Sequence, residues 1–190
     1  MFDYLKNSLS ALPPGHAGRV DEVRGRRRLL NVTNTPLTHV DETGAARMVD
    51  VSSKHVSSRQ ATAAGEVRTT PAVIDLLRRD ALPKGDALAV ARVAAIMGAK
   101  RTPDLVPLCH PIALHGVTVQ LKLGESAVHI EVTTKTADRT GVEMEALTAV
   151  AAAGLALVDM VKAVDPAASI EAVRVLRKEG GKTGLWERPE

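Results

Sequence analysis

The stretch Gly116-Val-Thr-Val-Gln-Leu-Lys-Leu-Gly-Glu-Ser-Ala-Val-His-Ile-Glu-Val-Thr-Thr-Lys-Thr136 decides the fold of this 190-residue chain. It holds two segments in which apolar and polar side chains alternate, and residues 124–126 join them. Alternation with a period of two is typical of a strand with one buried face. A short connection that contains glycine predicts that the two strands form a β-hairpin. The expected centre of the fold is therefore an antiparallel sheet.

Helix and strand signals surround this hairpin in a regular order. Residues 59–70 end in a strand-like alternation, and Thr70-Pro71 then predicts a helix over 72–79, because threonine caps helices and proline suits the first helical position. Further elements are predicted as helices over 86–100 and 140–164 and as a last strand over 172–178. This order predicts an α+β, ferredoxin-like (split βαβ) fold, in which helices pack on one face of an antiparallel sheet.

We expect one folded domain preceded by an extension. Residues 1–36 contain two adjacent prolines and an arginine cluster and show weak periodicity. We interpret them as a mobile N-terminal extension, and residues 37–190 as a single domain. The extension holds six basic and three acidic side chains, so it accounts for the whole net charge of +3.

The composition argues against several classes of protein. Only 2% of the residues are aromatic, which disfavours base stacking on nucleic acid. The one cysteine, Cys109, fits a reducing compartment. The N-terminus lacks the apolar region of a signal peptide, and the longest apolar run is short for a membrane span. We therefore expect a cytoplasmic protein that binds no membrane. The histidines show no metal-ligand spacing, and we expect neither a metal nor a cofactor.

The predicted long helix is apolar all round. Thr148 is the only polar side chain from residue 146 to residue 158. Such a helix must be buried all round, and one sheet covers only one of its faces, so we expect the other face to pack on a second subunit. At its start, Thr140-Gly-Val-Glu143 has the pattern of a capping box. At its end, Asp159 and Lys162 are neighbours at i,i+3 and form either a surface ion pair or an acid/base pair.

Residues 101–112 form a stiff connector between the second helix and the hairpin. Pro107 and Pro111 fix their own φ angles and bias the residues before them toward extended geometry. Two interpretations of the segment remain open. Either Leu108 and Cys109 belong to the core and His110 is a turn histidine, or the connector presents the imidazole to a functional site.

Two lysines stand in segments that suit anions. Lys84 directly precedes a predicted helix N-terminus, where free N–H groups attract negative charge. Lys182 stands in Gly180-Gly-Lys-Thr-Gly184, which lacks the upstream glycine of a P-loop and follows a strand without opening a helix. This segment either lies close to a bound phosphate or is only a flexible turn.

Six segments together resemble one protein family. They are Met48-Val-Asp-Val-Ser52, Lys84-Gly-Asp-Ala87, Ala99-Lys-Arg-Thr-Pro-Asp-Leu-Val-Pro-Leu-Cys-His-Pro111, Thr140-Gly-Val-Glu-Met-Glu-Ala-Leu-Thr-Ala149, Asp159-Met-Val-Lys-Ala-Val164 and Gly180-Gly-Lys-Thr-Gly184. Over about residues 37–184 the chain resembles the MoaC family, the cyclic pyranopterin monophosphate synthases of molybdenum cofactor biosynthesis. The resemblance implies conversion of 3',8-cyclo-7,8-dihydroguanosine 5'-triphosphate, which a radical enzyme makes from GTP, into cyclic pyranopterin monophosphate and pyrophosphate. It also implies a homohexamer built as a trimer of dimers.

The resemblance also implies roles for individual residues. It makes Asp159 catalytic, with Lys162 and Lys84, and it implies that the substrate-binding residues are Leu108, Cys109, His110, Glu143, Met144, Glu145 and Lys182. The rearrangement needs several proton transfers, and a lysine beside other cations can act as a base, so Lys162 is the expected general acid/base. Lys84 and Lys182 are expected to bind the triphosphate and the departing pyrophosphate. His110 and Glu145 are expected to orient the base and the ribose.

A rival interpretation is a non-catalytic nucleotide-binding or assembly module on a ferredoxin-like fold, which fold class alone does not exclude. The clustered lysine and acidic side chains of the six segments favour an enzyme over a non-catalytic module. Glu145 and Asp159 are also 14 residues apart, which is about 21 Å along a helix, so one nucleotide scarcely reaches both within one subunit. We hypothesise that two such helices pack antiparallel across a two-fold axis and form a composite site from two subunits.

Overall fold

The computed structural model describes His39 and residues 43–189. The described residues form five strands and four helices: β1 (Ser57–Arg68), α1 (Pro71–Arg78), α2 (Ala87–Lys100), α3 (Thr102–Leu105), β2 (Leu114–Leu123), β3 (Ala127–Asp138), α4 (Glu143–Val161), β4 (Ser169–Glu179) and β5 (Trp186–Glu187). The predicted extension over residues 1–36 lies outside the described residues, and the division of the chain at residue 36 stays a prediction.

The sheet has the strand order β2-β3-β1-β4-β5, and every neighbouring pair is antiparallel. The predicted β2–β3 hairpin is confirmed, and each strand extends two residues beyond its predicted outer end. Along β3 the side chains of Val128, Ile130 and Val132 are buried, whereas His129 and Glu131 between them are exposed. One face of the sheet is therefore covered by helices, and the α+β class with an antiparallel sheet is confirmed.

The first two helices begin where their capping residues predict. The Thr70 Oγ1 accepts a hydrogen bond from the Val73 N–H at 3.4 Å, and Pro71 occupies the first helical position. The Asp86 carboxylate accepts a hydrogen bond from the Ala89 N–H at 2.9 Å. Side-chain acceptors thus satisfy N–H groups that have no partner within the helix.

The predicted capping box at the start of α4 is wrong. The helix begins at Glu143, three residues after Thr140, and among the described residues no side chain caps it. The reason is tertiary, because β3 continues to Asp138 and residues 139–142 are needed to turn the chain. The Glu143 carboxylate is consequently free to pair with the Lys178 Nζ at 3.1 Å.

The end of α4 also differs from the prediction, because the helix stops at Val161 instead of residue 164. The N–H groups of Val164 and Asp165 both donate to the Val161 carbonyl oxygen, at 2.8 and 3.0 Å, and so close the last turn. The buried Asp165 carboxylate accepts a hydrogen bond from the Thr69 Oγ1 at 2.7 Å, which ties this turn to the end of β1.

The chain itself covers part of the second face of α4, while Leu155 on this helix stays 64% exposed. Packing of the remaining face on a second subunit stays a prediction. Helix α2 packs against α4 through small buried side chains, among them Ala91 and Ala95. By length and composition alone α4 could cross a membrane. Its residues Ala149, Ala153 and Leu157 are fully buried, however, and the helix contacts α2 and three strands, which identifies it as the central core helix.

Gly98→Ala should destabilise the protein, although alanine has the higher helix propensity. A Cβ at position 98 would lie 2.6 Å from the Ala152 Cβ and 3.2 Å from the Thr148 carbonyl oxygen, so α2 and α4 would have to separate. Overpacking costs about 1–3 kcal/mol, against ~1 kcal/mol that alanine gains over glycine in a helix. Urea unfolding should show a lower midpoint. The control is Gly116→Ala, whose Cβ meets only the Lys135 Cβ at 3.8 Å, and equal effects of the two substitutions would contradict this account.

Candidate active site

The connector between α3 and β2 is extended where its prolines predict. Val106 has φ −120° and ψ 95°. The His110 Nε2 donates a hydrogen bond to the Val49 carbonyl oxygen at 2.8 Å, which fixes the imidazole. Leu108, Cys109 and His110 are half-buried instead of core residues, so the structure favours the interpretation in which the connector presents side chains to a site.

These side chains line a cleft of about 390 Å³ at the N-terminal end of α4, which we call the Glu145 cleft. The cleft brings together six of the seven predicted substrate-binding residues: Leu108, Cys109, His110, Glu143, Met144 and Glu145. Its remaining lining residues are His39, Val49, Val51, Lys54, Thr140 and Gly141.

Glu145 is the buried carboxyl group of this cleft, with 3% of its surface exposed. The pKa of Glu145 is raised to about 7, chiefly by burial; a backbone hydrogen bond opposes this shift and the charge of Glu143 adds to it. Burial and the charge of Glu145 also raise the pKa of the Cys109 thiol, which keeps it protonated. Glu145 can therefore accept or donate a proton near neutral pH.

Glu145→Gln should change how stability depends on pH. Between pH 4.5 and about 7 the folded protein holds a proton on Glu145 that the unfolded chain releases. The carboxyl group thus stabilises the fold most below pH 4.5, and up to about 3 kcal/mol is lost as pH rises toward the folded-state pKa. Glutamine does not titrate, so the variant should not show this loss. The free energy of unfolding of Glu145→Gln minus that of the wild type should therefore be larger at pH 8 than at pH 5.

Urea unfolding at the two pH values measures this difference. Glu131→Gln, on the exposed face of β3, is the matched control and should leave the pH dependence unchanged. A Glu145→Gln variant with the pH dependence of the wild type would show that Glu145 is already ionised in the folded protein.

Three charged groups meet at the opposite end of α4, and we call them the Asp159 cluster. The Lys162 Nζ lies 2.8 Å from the Asp159 Oδ1, and the Lys84 Nζ lies 2.9 Å from the Oδ2 and 2.8 Å from the Asp159 carbonyl oxygen. Hydrogen bonds from Lys162, and then from Lys84, lower the pKa of Asp159 to about 2. The carboxylate is therefore ionised at neutral pH and holds two ammonium groups in place.

This arrangement goes beyond a surface ion pair of one helix. Lys84 comes from the loop between α1 and α2, 75 residues before Asp159, and it fixes the carboxylate from the other side. All three side chains remain between 41% and 59% exposed, so a ligand can reach them. Within residues 43–189 and His39, the structure groups no three His, Cys, Asp or Glu side chains that could hold a metal ion.

Lys182, the seventh predicted binding residue, lies in the loop of residues 180–185 between β4 and β5, which we call the Lys182 loop. A cavity of about 480 Å³ is lined by Lys54, His55, Ser57, Arg59, Gly181, Lys182 and Thr183. Lys54 also lines the Glu145 cleft, so the Lys182 loop borders that cleft. Lys182 thus lies beside the Glu145 cleft, whereas Lys84 lies in the Asp159 cluster.

The predicted site residues therefore form two groups at the two ends of α4. Fourteen residues separate Glu145 from Asp159 within this helix, a rise of about 21 Å. The expectation that Lys84 and Lys182 bind one triphosphate is not met within a single chain.

Three basic residues beside the Glu145 cleft were missed by the sequence analysis: Lys54, Arg59 and Lys178. The Arg59 Nε and Nη2 donate to the carbonyl oxygens of Asp138 and Arg139, at 2.9 and 3.2 Å, which directs the guanidinium toward the Lys182 loop. Lys54 and Arg59 are isolated charges in the sequence, and Lys178 stands among charged residues of a predicted strand. Only the pairing of β1 with β3 and β4 brings them together, so no local signal could have found them.

Residues 48–181 match the model of the MoaC family. The cyclic pyranopterin monophosphate synthase of Streptomyces griseus is 62% identical over 163 residues, which cover 86% of this chain and 92% of that protein. Proteins of the same name from Nocardioides sp. and Parvibaculum lavamentivorans are 61% and 59% identical, and each alignment covers 80% of this chain and 96% of the relative. The chain therefore belongs to the MoaC family.

Proposed function

We propose that this protein is a cyclic pyranopterin monophosphate synthase of molybdenum cofactor biosynthesis. It converts 3',8-cyclo-7,8-dihydroguanosine 5'-triphosphate into cyclic pyranopterin monophosphate and pyrophosphate. The observation that carries the proposal is the Asp159 cluster, two ammonium groups on one ionised carboxylate, in a chain 62% identical to a synthase of that name. The substrate is the product of a radical GTP-cyclising enzyme, which is the expected functional partner.

The Asp159 cluster supplies the proton transfers. The rearrangement opens a purine ring, rebuilds a pyrazine ring and closes a cyclic phosphate, so protons must move at several atoms. Lys162 acts as the general acid/base, and Asp159 holds its Nζ in one place at 2.8 Å. Lys84, fixed on the other carboxylate oxygen, donates to negative charge that develops on the reacting phosphate.

The Glu145 cleft orients the substrate. Because the His110 Nε2 donates to the Val49 carbonyl oxygen, the neutral imidazole has its Nδ1 free as an acceptor. A protonated Glu145 can donate, so the cleft offers both kinds of polar partner to a purine-derived ring and its ribose. Lys182, with Lys54 and Arg59, supplies positive charge for the triphosphate.

The active site is composite, and the protein is a cytoplasmic homohexamer built as a trimer of dimers. Two features support assembly: the two groups of site residues lie a helix length apart, and apolar side chains remain exposed. Val90, Val93 and Met97 form one exposed face of α2, and Leu155 is 64% exposed on α4. An exposed apolar face of this kind is typical of a subunit interface.

Turnover of the cyclised triphosphate by the purified protein tests the function. We expect pyrophosphate and cyclic pyranopterin monophosphate in equal amounts, followed by a coupled phosphate assay and by mass spectrometry. Saturable binding of the substrate without either product would instead support a non-catalytic nucleotide-binding module.

A further inference from the structure

The Lys182 loop has little conformational restraint of its own. Gly180 and Gly181 have φ angles of 97° and 70°, which favour glycine and leave the backbone permissive. The position of Lys182 therefore depends on how firmly the two ends of the loop are attached to the rest of the fold.

The first end is held by close packing on β1. A Cβ added at Gly180 would collide with the Ser58 carbonyl oxygen, and one added at Gly181 would collide with the Arg59 guanidinium. The backbone of these two glycines thus packs directly on β1 and on the Arg59 guanidinium, with no room for a side chain between them. This end of the loop is therefore fixed against the sheet.

The far end of the loop depends on β5, which has only two residues. Trp186 pairs with Lys178 and Glu187 with Arg177, and so short a ladder is marginal by itself. Arg188 extends the attachment to β4. Its N–H donates to the Leu176 carbonyl oxygen at 2.8 Å, and its Nε donates to the Val175 carbonyl oxygen at 2.6 Å.

Arg188 also holds the aromatic residue of β5. Its guanidinium lies 5.9 Å from the centre of the Trp186 ring, a cation–π distance. A groove of about 460 Å³ connects this end of the chain to the active site, and it is lined by Glu143, Val175, Lys178, Thr183, Leu185, Trp186 and Arg188. Lys178, the backbone partner of Trp186, carries the Nζ that pairs with Glu143 in the Glu145 cleft.

We propose that Arg188 is a positioning residue, which clamps β5 onto β4 and thereby holds Lys182 beside the Glu145 cleft. The inference rests on the proposed function only in that Lys182 binds the triphosphate. Arg188 touches no reacting group. Its loss should widen the range of positions of Lys182, weaken binding of the triphosphate and leave the proton transfers at the Asp159 cluster intact.

The clamp is tested first on the free protein, without substrate. Proteases cut a folded loop chiefly when it opens, so the rate at which trypsin cleaves after Lys182 and releases the peptide 183–190 reports the open population. We expect Arg188→Gln to release it about fivefold faster than the wild type, measured by mass spectrometry at early times. Arg79→Gln is the matched control, because the Arg79 Nε donates to a backbone oxygen at 3.3 Å on α1, away from this loop.

Steady-state kinetics then test the link to the site. Arg188→Gln should raise KM several-fold with kcat nearly unchanged, since the loss of binding that is equal in the ground state and the transition state appears in KM alone. Arg188→Lys keeps a cationic donor and should recover part of both effects. Equal peptide release by Arg188→Gln and the wild type would overturn the clamp. Faster release with an unchanged KM would overturn its link to the substrate, and an inactive wild type would refute the proposed function while leaving the clamp intact.

Discussion

Replacing Lys162 with alanine should abolish turnover while leaving the fold intact. A correctly placed general acid/base contributes about 10²–10⁴-fold to rate, and Asp159 holds the Lys162 Nζ at 2.8 Å from its Oδ1. Lys162 is 59% exposed and fills no core position, so its truncation should not unfold the protein. Pyrophosphate release from the cyclised substrate measures the loss, and circular dichroism measures the fold.

Asp159→Ala should have an effect of similar size for a related reason. Without the carboxylate, the Lys84 and Lys162 ammonium groups lose their common partner and repel each other. The matched control for both substitutions is Lys100→Ala, an exposed lysine at the end of α2 outside either group of site residues. Near-normal pyrophosphate release by the Lys162 or the Asp159 variant would remove that residue from the catalytic role.

The parts of the fold that the sequence predicted are those with local signals. Alternation with a period of two predicted β2 and β3, and the capping residues Thr70 and Asp86 predicted the starts of α1 and α2 to within one residue. In each case the residues that decide the structure are neighbours in the chain, so no knowledge of distant contacts is needed.

The errors in the fold arose where distant contacts override local patterns. Thr140 and Glu143 have capping-box spacing, but β3 pairs with β1 as far as the Ser57 and Asp138 pair, which shifts the helix start. The face of α2 that covers α4 is built from alanines, such as Ala91 and Ala95. Alanine contributes little to hydrophobic periodicity, so the sequence gives no sign that this face is buried against α4.

The sequence predicted which segments contribute to the candidate site but not how these segments contact one another in space. Resemblance to the MoaC family pointed to every predicted site residue, and the structure places six of them in the Glu145 cleft. The contact between Lys84 and Asp159 spans 75 residues of chain and depends on how the α1–α2 loop meets the end of α4. The division of the site into two groups follows from the length of α4, which the sequence analysis did anticipate.

The second large effect should appear when inactive variants are mixed. Glu145→Ala and Lys162→Ala should each be inactive, because each removes one half of a site formed by two subunits. In a mixed dimer one site carries both substitutions and the other carries neither. Random exchange makes half of the dimers mixed, so about a quarter of wild-type activity should return.

Subunit exchange between these two variants tests most directly whether the Glu145 cleft and the Asp159 cluster form one active site. The variants are dissociated reversibly and recombined, mass-tagged subunits prove the exchange, and pyrophosphate release is measured. Mixing Asp159→Ala with Lys162→Ala is the control and should restore nothing, because both substitutions lie in the same cluster. Recovery of about a quarter of the activity in the first mixture alone is the predicted result. No recovery despite proven exchange would mean that each active site lies within one chain and would contradict the account.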